Sequence, residues 1–196
     1  MLADPPSFSV NPADEAVIGC SPLDDGGHRA RGRGGNVVQT KPCDARYQVS
    51  IDGFQPNVVV AIFGAPPVDY LELDGKFQRA CSPAYDAEMD LRYRNMIETL
   101  KSGGATVVLS NIAVSANPWR DKQEPKFVGC ANKVLQKIAD DDPKVELLDL
   151  NAHMCPDGPC EVGDGADIRA DGLHYTGPRG PEVAHWIVEQ ALATQH

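Results

Sequence analysis

The feature that most constrains the fold is a regular alternation of strand-like and helix-like segments that begins near residue 57. Residues 58–63 form an uninterrupted apolar run, rich in β-branched side chains, which ends at Gly64 and is typical of a strand buried on both faces. Residues 106–110 and 145–150 are two further strand-like runs. Strands that alternate with helices are joined by right-handed crossovers into a parallel sheet. The sequence therefore predicts an α/β fold with three layers, in which residues 58–63 form a central strand.

Helices are predicted in the intervals between and after these strands. Ser82 is a candidate N-cap and Pro83 suits the first helical position, while Gly103 ends this helix. A second helix is predicted around residues 132–139, and Pro181 opens a last one. The core-facing stripe of the first helix is expected to consist of Met89, Tyr93, Met96, Ile97 and Leu100, and that of the last helix of Ala184, Ile187, Val188, Ala191 and Leu192.

The size and composition of the chain fit one globular domain. It has 196 residues, of which 42% are hydrophobic and 23% charged. We assign residues 1–16 as an irregular N-terminal segment and residues 17–196 as the core of a single domain, with a short strand at residues 15–19 and a short helix at residues 45–51. No apolar run approaches the roughly 20 residues needed to cross a bilayer.

The net charge of −10 argues against a nucleic-acid partner, because binding to a phosphate backbone depends on clustered lysine and arginine. The basic residues between positions 28 and 33 are surrounded by glycines. A flexible, solvated loop is the favoured interpretation of this cluster, and a nucleic-acid patch is the alternative.

The six cysteines are even in number and are not arranged as the C-x-x-C pairs that hold zinc, so they predict disulfides and an oxidising compartment outside the cytoplasm. Their spacing does not select one pairing, although residues 155–160 form a short turn that could close on itself. The alternative is six reduced, buried thiols in a cytosolic protein. Because the first residues lack the pattern of a signal peptide, we expect an upstream segment to direct export. The candidate disulfide residues are Cys20, Cys43, Cys81, Cys130, Cys155 and Cys160.

The strongest candidate for chemistry is the pair Asp171 and His174, in the segment 169–175 just before the last helix. A carboxylate that accepts a hydrogen bond from one imidazole nitrogen fixes the tautomer and leaves the other nitrogen free to take a proton. A short D-x-x-H pattern is also typical of an exposed loop in which the aspartate caps a turn. Ligands of open parallel sheets gather at the carboxyl ends of the strands, where this segment is expected to lie with Gly64.

Seven short segments together carry a resemblance to a known family: residues 18–20, 41–43, 55–64, 104–109, 148–150, 155–156 and 169–175. In sequence and in order along the chain they resemble the SGNH hydrolase superfamily, and in particular the SGNH domains fused to the C-terminus of bacterial membrane acyltransferase-3 proteins. The similarity covers nearly the whole chain from about Val17, and the Arg-x-Asp-Gly-x-His pattern is its most specific part.

The resemblance implies a flavodoxin-like, three-layer α/β/α domain that uses Ser, His and Asp for acyl-ester chemistry. His174 matches the base of the family and Asp171 the carboxylate that orients it. Gly19 and Gly64 match glycines whose blocks form the oxyanion hole, where hydrogen-bond donors stabilise the developing negative charge. No metal or organic cofactor is implied.

Two departures from the family pattern concern the nucleophile and one oxyanion donor. The chain contains no Gly-Asp-Ser, so we expect the block that carries the nucleophile, together with the first strand, to fall before or at Met1. Pro66 stands where the superfamily usually has an asparagine, and proline offers neither an N–H nor a side-chain donor. Ser21 is the best substitute nucleophile within the chain, followed by Ser110.

These observations predict an extracytoplasmic acyl-ester hydrolase or O-acyltransferase that acts on carbohydrate hydroxyls and works with a membrane acyltransferase domain, upstream or in trans. The alternative is a catalytically inactive carbohydrate-binding or docking module. A flavodoxin-like binder of nucleotides is disfavoured, because no strand is followed by a glycine-rich phosphate loop. The two tryptophans, Trp119 and Trp186, are predicted to pack in the core or at its rim, and a stacking platform is the alternative. The remaining histidines are predicted to be solvated: His28, His153, His185 and His196.

Overall fold

A computed structural model describes residues 21–23, 29–31, 36–39, 44–64 and 70–194 of the chain. In chain order the elements are β1 (Arg29–Arg31), β2 (Val37–Gln39), α1 (Asp44–Phe54), β3 (Val58–Ala61), β4 (Tyr70–Leu73), β5 (Lys76–Gln78), α2 (Pro83–Lys101), β6 (Thr106–Ser110), α3 (Glu124–Asp141), β7 (Val145–Leu148), α4 (Leu150–Met154) and α5 (Gly180–Ala193).

The predicted α/β class is confirmed by a parallel sheet with the order β3-β6-β7. Val58 pairs with Thr106 at one end of the first ladder, and Val107 pairs with Val145 in the second. The connection from β3 to β6 contains β4, β5 and helix α2, and helix α3 connects β6 to β7. Helices α2 and α3 pack against each other. Helix α5 packs against β3. This arrangement is compatible with three α/β/α layers.

Strand β3 differs from the prediction of a central strand buried on both faces. Within the described residues it pairs on one side only, with β6. Val60 and Ile62 are 37% and 42% exposed, so the expected burial is not met at these positions. In contrast, β6 lies between two neighbours, and its residues 107–110 are fully buried.

Helix α2 begins and ends as predicted. Ser82 accepts a hydrogen bond from the Tyr85 backbone N–H at 3.3 Å, and Pro83 follows it in the first turn. The predicted apolar stripe is the buried face of the helix, with Met89 and Tyr93 at its centre. An N-cap hydrogen bond of this kind contributes about 1 kcal/mol.

Two helices differ from their predicted extents or faces. Helix α3 begins at Glu124, eight residues earlier than the predicted segment at Asn132. The buried residues of α5 are Gly180, Val183, Ile187 and Ala191, whereas the predicted Ala184 and Val188 are exposed. The apolar face is therefore displaced by about one residue at the start of the helix. Val183, 1% exposed, occupies the core position that periodicity predicts for Ala184.

A second, antiparallel sheet with the order β2-β1-β4-β5 was not predicted. It corrects the interpretation of the basic cluster as a flexible loop, because Arg29–Arg31 is strand β1. The guanidinium of Arg31 lies over the rings of Tyr70 and Phe77, 4.9 and 4.6 Å from their centroids, and Arg29 is paired with Glu72. These arginines are therefore engaged within the domain by cation–π contacts and an ion pair.

Candidate functional site

The site is built where the parallel strands end, from the two loops at residues 111–123 and 165–179. Asn111 follows β6 and donates from its side-chain amide to Asp149, which follows β7, at 2.7 Å. The Asn111 Oδ1 accepts from the backbone N–H of Asn151 at 2.8 Å, and Asn151 Oδ1 accepts from that of Val114 at 3.1 Å. This network of amides ties the start of the first loop to the carboxyl ends of both strands.

Asp171 and His174 form a hydrogen-bonded pair, as the sequence predicted. The His174 Nδ1 lies 2.6 Å from one carboxylate oxygen of Asp171. The other oxygen accepts from the backbone N–H groups of Leu173 and His174, at 2.9 and 2.7 Å. With Asp171 ionised, Nδ1 carries the proton and donates it. Within the described ranges the Nε2 atom makes no hydrogen bond, so it is the nitrogen available to exchange a proton.

Both side chains of the pair are open to solvent, with 60% of His174 and 50% of Asp171 exposed. The hydrogen bond from His174 and the two backbone N–H groups hold the pKa of Asp171 well below its usual range. The carboxylate is therefore ionised at every pH near neutrality. This is the charge state needed to orient an imidazole and to stabilise it once it is protonated.

The turn that carries the pair is pressed against the loop after β6. Gly172 has a φ of 84°, and a β-carbon there would lie 2.5 Å from the Asn117 Cβ and 2.7 Å from its backbone nitrogen. The Gly172 carbonyl accepts from the Ser115 hydroxyl at 3.0 Å and from the Ala116 N–H at 3.1 Å. Both the backbone conformation and this close approach therefore require glycine between Asp171 and His174.

Ser115 is fixed in turn by a buried carboxylate. The Ser115 backbone N–H donates to Glu124 at 2.8 Å, and its hydroxyl accepts from the Asn117 N–H at 3.0 Å. Glu124 is 5% exposed and forms an ion pair with Arg120 at 3.0 Å. Sequence reasoning missed Ser115 and Glu124, because isolated polar residues in a loop and a first helical turn give no periodic signal.

Arg169, two residues before Asp171, is buried beneath the turn. It is 3% exposed, and its Nη2 donates to the Asp164 carbonyl at 2.9 Å. Burial lowers the pKa of Arg169, while Tyr175, Glu124 and Asp164 oppose that shift. Burial also raises the pKa of Tyr175. Arg169 therefore supports the turn from inside and is not exposed to a ligand.

The structure describes three of the other predicted site residues, Gly64, Ser21 and Ser110. Gly64 is exposed, three residues beyond β3, and so lies at the same edge of the sheet as Ser110. Ser21 is 1% exposed, and its hydroxyl accepts from the Leu23 N–H at 3.2 Å. Ser110 is fully buried, and its hydroxyl has no partner in the described part of the chain. Outside the described residues lie Gly19, Cys20, Cys43, Pro66, His28 and His196.

Four of the six cysteines form disulfides, as predicted, and the structure selects the pairings Cys81–Cys130 and Cys155–Cys160. The second bond closes the short turn at residues 155–160. The first links the segment before α2 to α3 across 49 residues. None of the described cysteines is free.

Two of the remaining histidines lie against other side chains. His153 is exposed, as predicted, and its ring also stacks on Trp186, with centroids 3.7 Å apart; partial desolvation lowers its pKa. His185 is paired with Glu189 at 3.1 Å on the outer face of α5. Among the described residues, no group of three His, Cys, Asp or Glu side chains is arranged to hold a metal ion. None of the helices in the described ranges combines the length and apolarity needed to span a bilayer.

Comparison of the chain with protein-family models, with curated proteins and with solved structures finds no match in any of the three.

Proposed function

We propose that this chain is an extracytoplasmic domain of the SGNH-hydrolase type that removes or transfers acyl groups, such as acetyl, on carbohydrate hydroxyls. The observation that carries the proposal is the Asp171–His174 pair, joined at 2.6 Å with its second imidazole nitrogen directed to no described residue. Its position beside the loop that leaves β6 agrees with the place where open α/β sheets bind their ligands. The parallel order β3-β6-β7 supports the flavodoxin-like, three-layer arrangement of that superfamily.

In the proposed reaction a serine hydroxyl attacks the carbonyl carbon of the ester while the His174 Nε2 takes its proton. The tetrahedral intermediate collapses, the sugar alkoxide leaves, and His174 returns the proton to the alkoxide oxygen. Water, or a second sugar hydroxyl in a transfer reaction, then attacks the acyl-serine with the same proton relay. Asp171 stays ionised throughout and stabilises the imidazolium. Backbone N–H groups at Gly19 and Gly64 are the proposed oxyanion donors.

The serine of this mechanism belongs to a Gly-Asp-Ser block that the chain does not contain, and we propose that it lies upstream of Met1. The two described disulfides support an oxidising compartment, since such bonds are rare in the cytosol. A membrane acyltransferase domain, upstream or in trans, is the proposed partner that supplies acyl groups.

A second candidate function is a non-catalytic carbohydrate-binding or docking module. It is favoured by the environment of Ser21, the best substitute nucleophile, which is 1% exposed and already accepts a hydrogen bond from Leu23. A buried hydroxyl of this kind is suited to a turn rather than to attack on a substrate.

Hydrolysis of a short-chain aryl ester by this chain, and by a version extended upstream to include the Gly-Asp-Ser block, tests the proposal. We expect activity from the extended chain only, and a loss of about a thousandfold in kcat with His174→Ala. His185→Ala is the matched control, because His185 is also exposed and paired with a carboxylate but lies on α5. Equal activity of the two chains, or full activity of the extended His174→Ala variant, refutes the mechanism. The lack of an upstream Gly-Asp-Ser block favours the binding module.

A further inference from the structure

Trp119 is far more exposed than is usual for a large aromatic side chain. The side chain is 85% exposed, the highest value among the large hydrophobic residues of the described ranges, whereas Trp186 stacks on His153. Single exposed hydrophobic residues are ordinary on protein surfaces, so exposure alone does not make a site. The location of Trp119 and the hydrogen-bonded backbone that carries it are what distinguish it.

The backbone that carries Trp119 is held in a hydrogen-bonded turn. The Trp119 N–H donates to the Asn117 side-chain oxygen at 2.9 Å, and the Arg120 N–H donates to the Asn117 carbonyl at 3.0 Å. Asn117 is anchored to Ser115, and Arg120 is paired with Glu124. A ring presented from such a turn loses little conformational freedom when a ligand binds, because a tryptophan side chain has only two rotatable bonds.

The same turn touches the acid–base pair. The Asn117 backbone lies against Gly172, the residue between Asp171 and Leu173. Trp119 is two residues beyond Asn117, so the two Cα atoms are at most about 7.6 Å apart. Leu173, which precedes His174, is itself 46% exposed. Each of the two segments that meet at this contact therefore carries an exposed apolar side chain within two residues of it, Trp119 on one segment and Leu173 on the other.

The residues around Trp119 favour a sugar ring as its ligand over an acyl chain or an anion. An acyl chain needs a groove that excludes water, but this ring is open and is followed by the charged residues at positions 120–122. An anionic ligand is disfavoured by the net charge of −10, and Arg120 is already paired with Glu124. A pyranose ring has one apolar C–H face and a rim of hydroxyl groups. It can stack on the indole while its hydroxyls meet the Asn117 amide nitrogen, which has no partner within the described ranges.

We propose that Trp119, with the amide of Asn117, is a stacking subsite that holds the sugar ring of the substrate next to His174. The inference rests on the proposed function, because it names the part of the molecule that binds the carbohydrate of a carbohydrate ester. In this arrangement the loop after β6 provides both the support for Gly172 and the platform for the ligand.

The test is a titration of this chain with chitotriose, cellotriose and O-acetylated xylotriose, followed by the two indole N–H signals in NMR spectra. The sequence has two tryptophans, and Trp119→Phe assigns the signal of interest. We expect a saturable shift of the Trp119 signal with at least one of these sugars. The dissociation constant, measured by calorimetry because these variants lack the Trp119 indole signal, should rise about tenfold in Trp119→Ala and no more than about threefold in Trp119→Phe, because phenylalanine keeps an aromatic face. Leu91→Ala, at an exposed apolar position on α2, is the control and should bind as the parent does.

Two results of the binding experiments would overturn the inference: no shift with any of the sugars, whether or not decanoate causes one, and unchanged binding by Trp119→Ala. Binding is measured without turnover, so the titration is independent of the ester assay. Sugar binding at Trp119 in an extended chain that hydrolyses no ester would refute the enzymatic function and retain the subsite. Ester hydrolysis that Trp119→Ala leaves unchanged for a sugar ester would refute the subsite alone.

Discussion

Replacement of Gly172 by alanine tests whether the close contact between the two loops positions His174. Two terms contribute to the cost. At a φ of 84° an alanine residue is in the left-handed region, which costs about 1–2 kcal/mol. Its β-carbon would also lie 2.5 Å from the Asn117 Cβ, and relief of an overpacked contact costs about 1–3 kcal/mol. The expected loss in the free energy of unfolding is therefore about 2–5 kcal/mol.

Gly75→Ala is the matched control for the backbone term. Gly75 has a φ of 73°, and a β-carbon there meets nothing within 4 Å. The control should lose about 1–2 kcal/mol, the conformational cost alone. The difference between the two variants then isolates the contact with Asn117.

Urea denaturation at neutral pH measures both variants, and the NMR signals of the His174 ring report on its surroundings. Gly172→Ala should shift these signals and Gly75→Ala should not, because the β4–β5 turn has no part in the pair. Equal destabilisation by the two substitutions, with unchanged His174 signals in both, would show that the loop after β6 moves away from the added methyl group without a further cost in free energy. That result would refute the argument that Asn117 and Gly172 hold the acid–base pair in place.

Three further predictions concern the supports of the site and of the domain. Ser115→Ala removes a buried donor to the Gly172 carbonyl and should lower the free energy of unfolding by about 1–3 kcal/mol, as measured by chemical denaturation. The control Ser82→Ala, at the N-cap of α2, should lower it by about 1 kcal/mol. A smaller loss in Ser115→Ala than in the control would contradict the support assigned to Ser115. The Cys81–Cys130 bond closes a longer loop than Cys155–Cys160, with sequence separations of 49 and 5. In the loop-entropy account, replacement of both cysteines by serine should therefore lower the free energy of unfolding by about 4 kcal/mol for the first bond and about 2 kcal/mol for the second. A lower melting temperature for the variant without Cys155–Cys160 would refute that account. Because the pKa of Asp171 is lowered in the folded protein, its ionised carboxylate contributes to the free energy of unfolding. This contribution is complete at a pH above the pKa of the unfolded chain, about 3.9, and is lost as the pH falls toward the pKa of the folded protein. The gap in urea midpoint between the parent and Asp171→Asn should therefore be largest near neutral pH and narrow in acid, and a constant gap would contradict the assignment.

The parts of the fold that can be predicted well from the sequence are those specified by residues that lie close together along the chain. Ser82 and Pro83 set the start of α2, and its apolar stripe selects the buried face. The pairing of Asp171 with His174 is likewise local, because three residues separate them and the turn brings them together. The Cys155–Cys160 bond belongs to the same class.

The parts that sequence did not predict depend on distant contacts. The antiparallel sheet consists of strands of three or four residues, too short for a period-two pattern, and cation–π contacts of Arg31 with Tyr70 and Phe77 hold its basic strand. The first turns of α3 contain the buried Glu124, whose partner Arg120 lies outside the helix. Periodicity reports which residues are apolar, but it does not report which polar residues are satisfied by a partner elsewhere in the fold.

The turn from Asp171 to His174 also has a consequence for the order of folding and for protein design. Among the residues that the structure describes, the Asp171 carboxylate accepts hydrogen bonds only from groups within three positions of it. Closing so short a loop takes well under about 100 ns, far less than the pairing of distant strands. The pair can therefore form before the sheet, and the four-residue turn itself needs from the rest of the molecule a surface that accepts Gly172. A host protein that offers a loop contact like that of Asn117 should accept residues 171–174 as a transplantable unit.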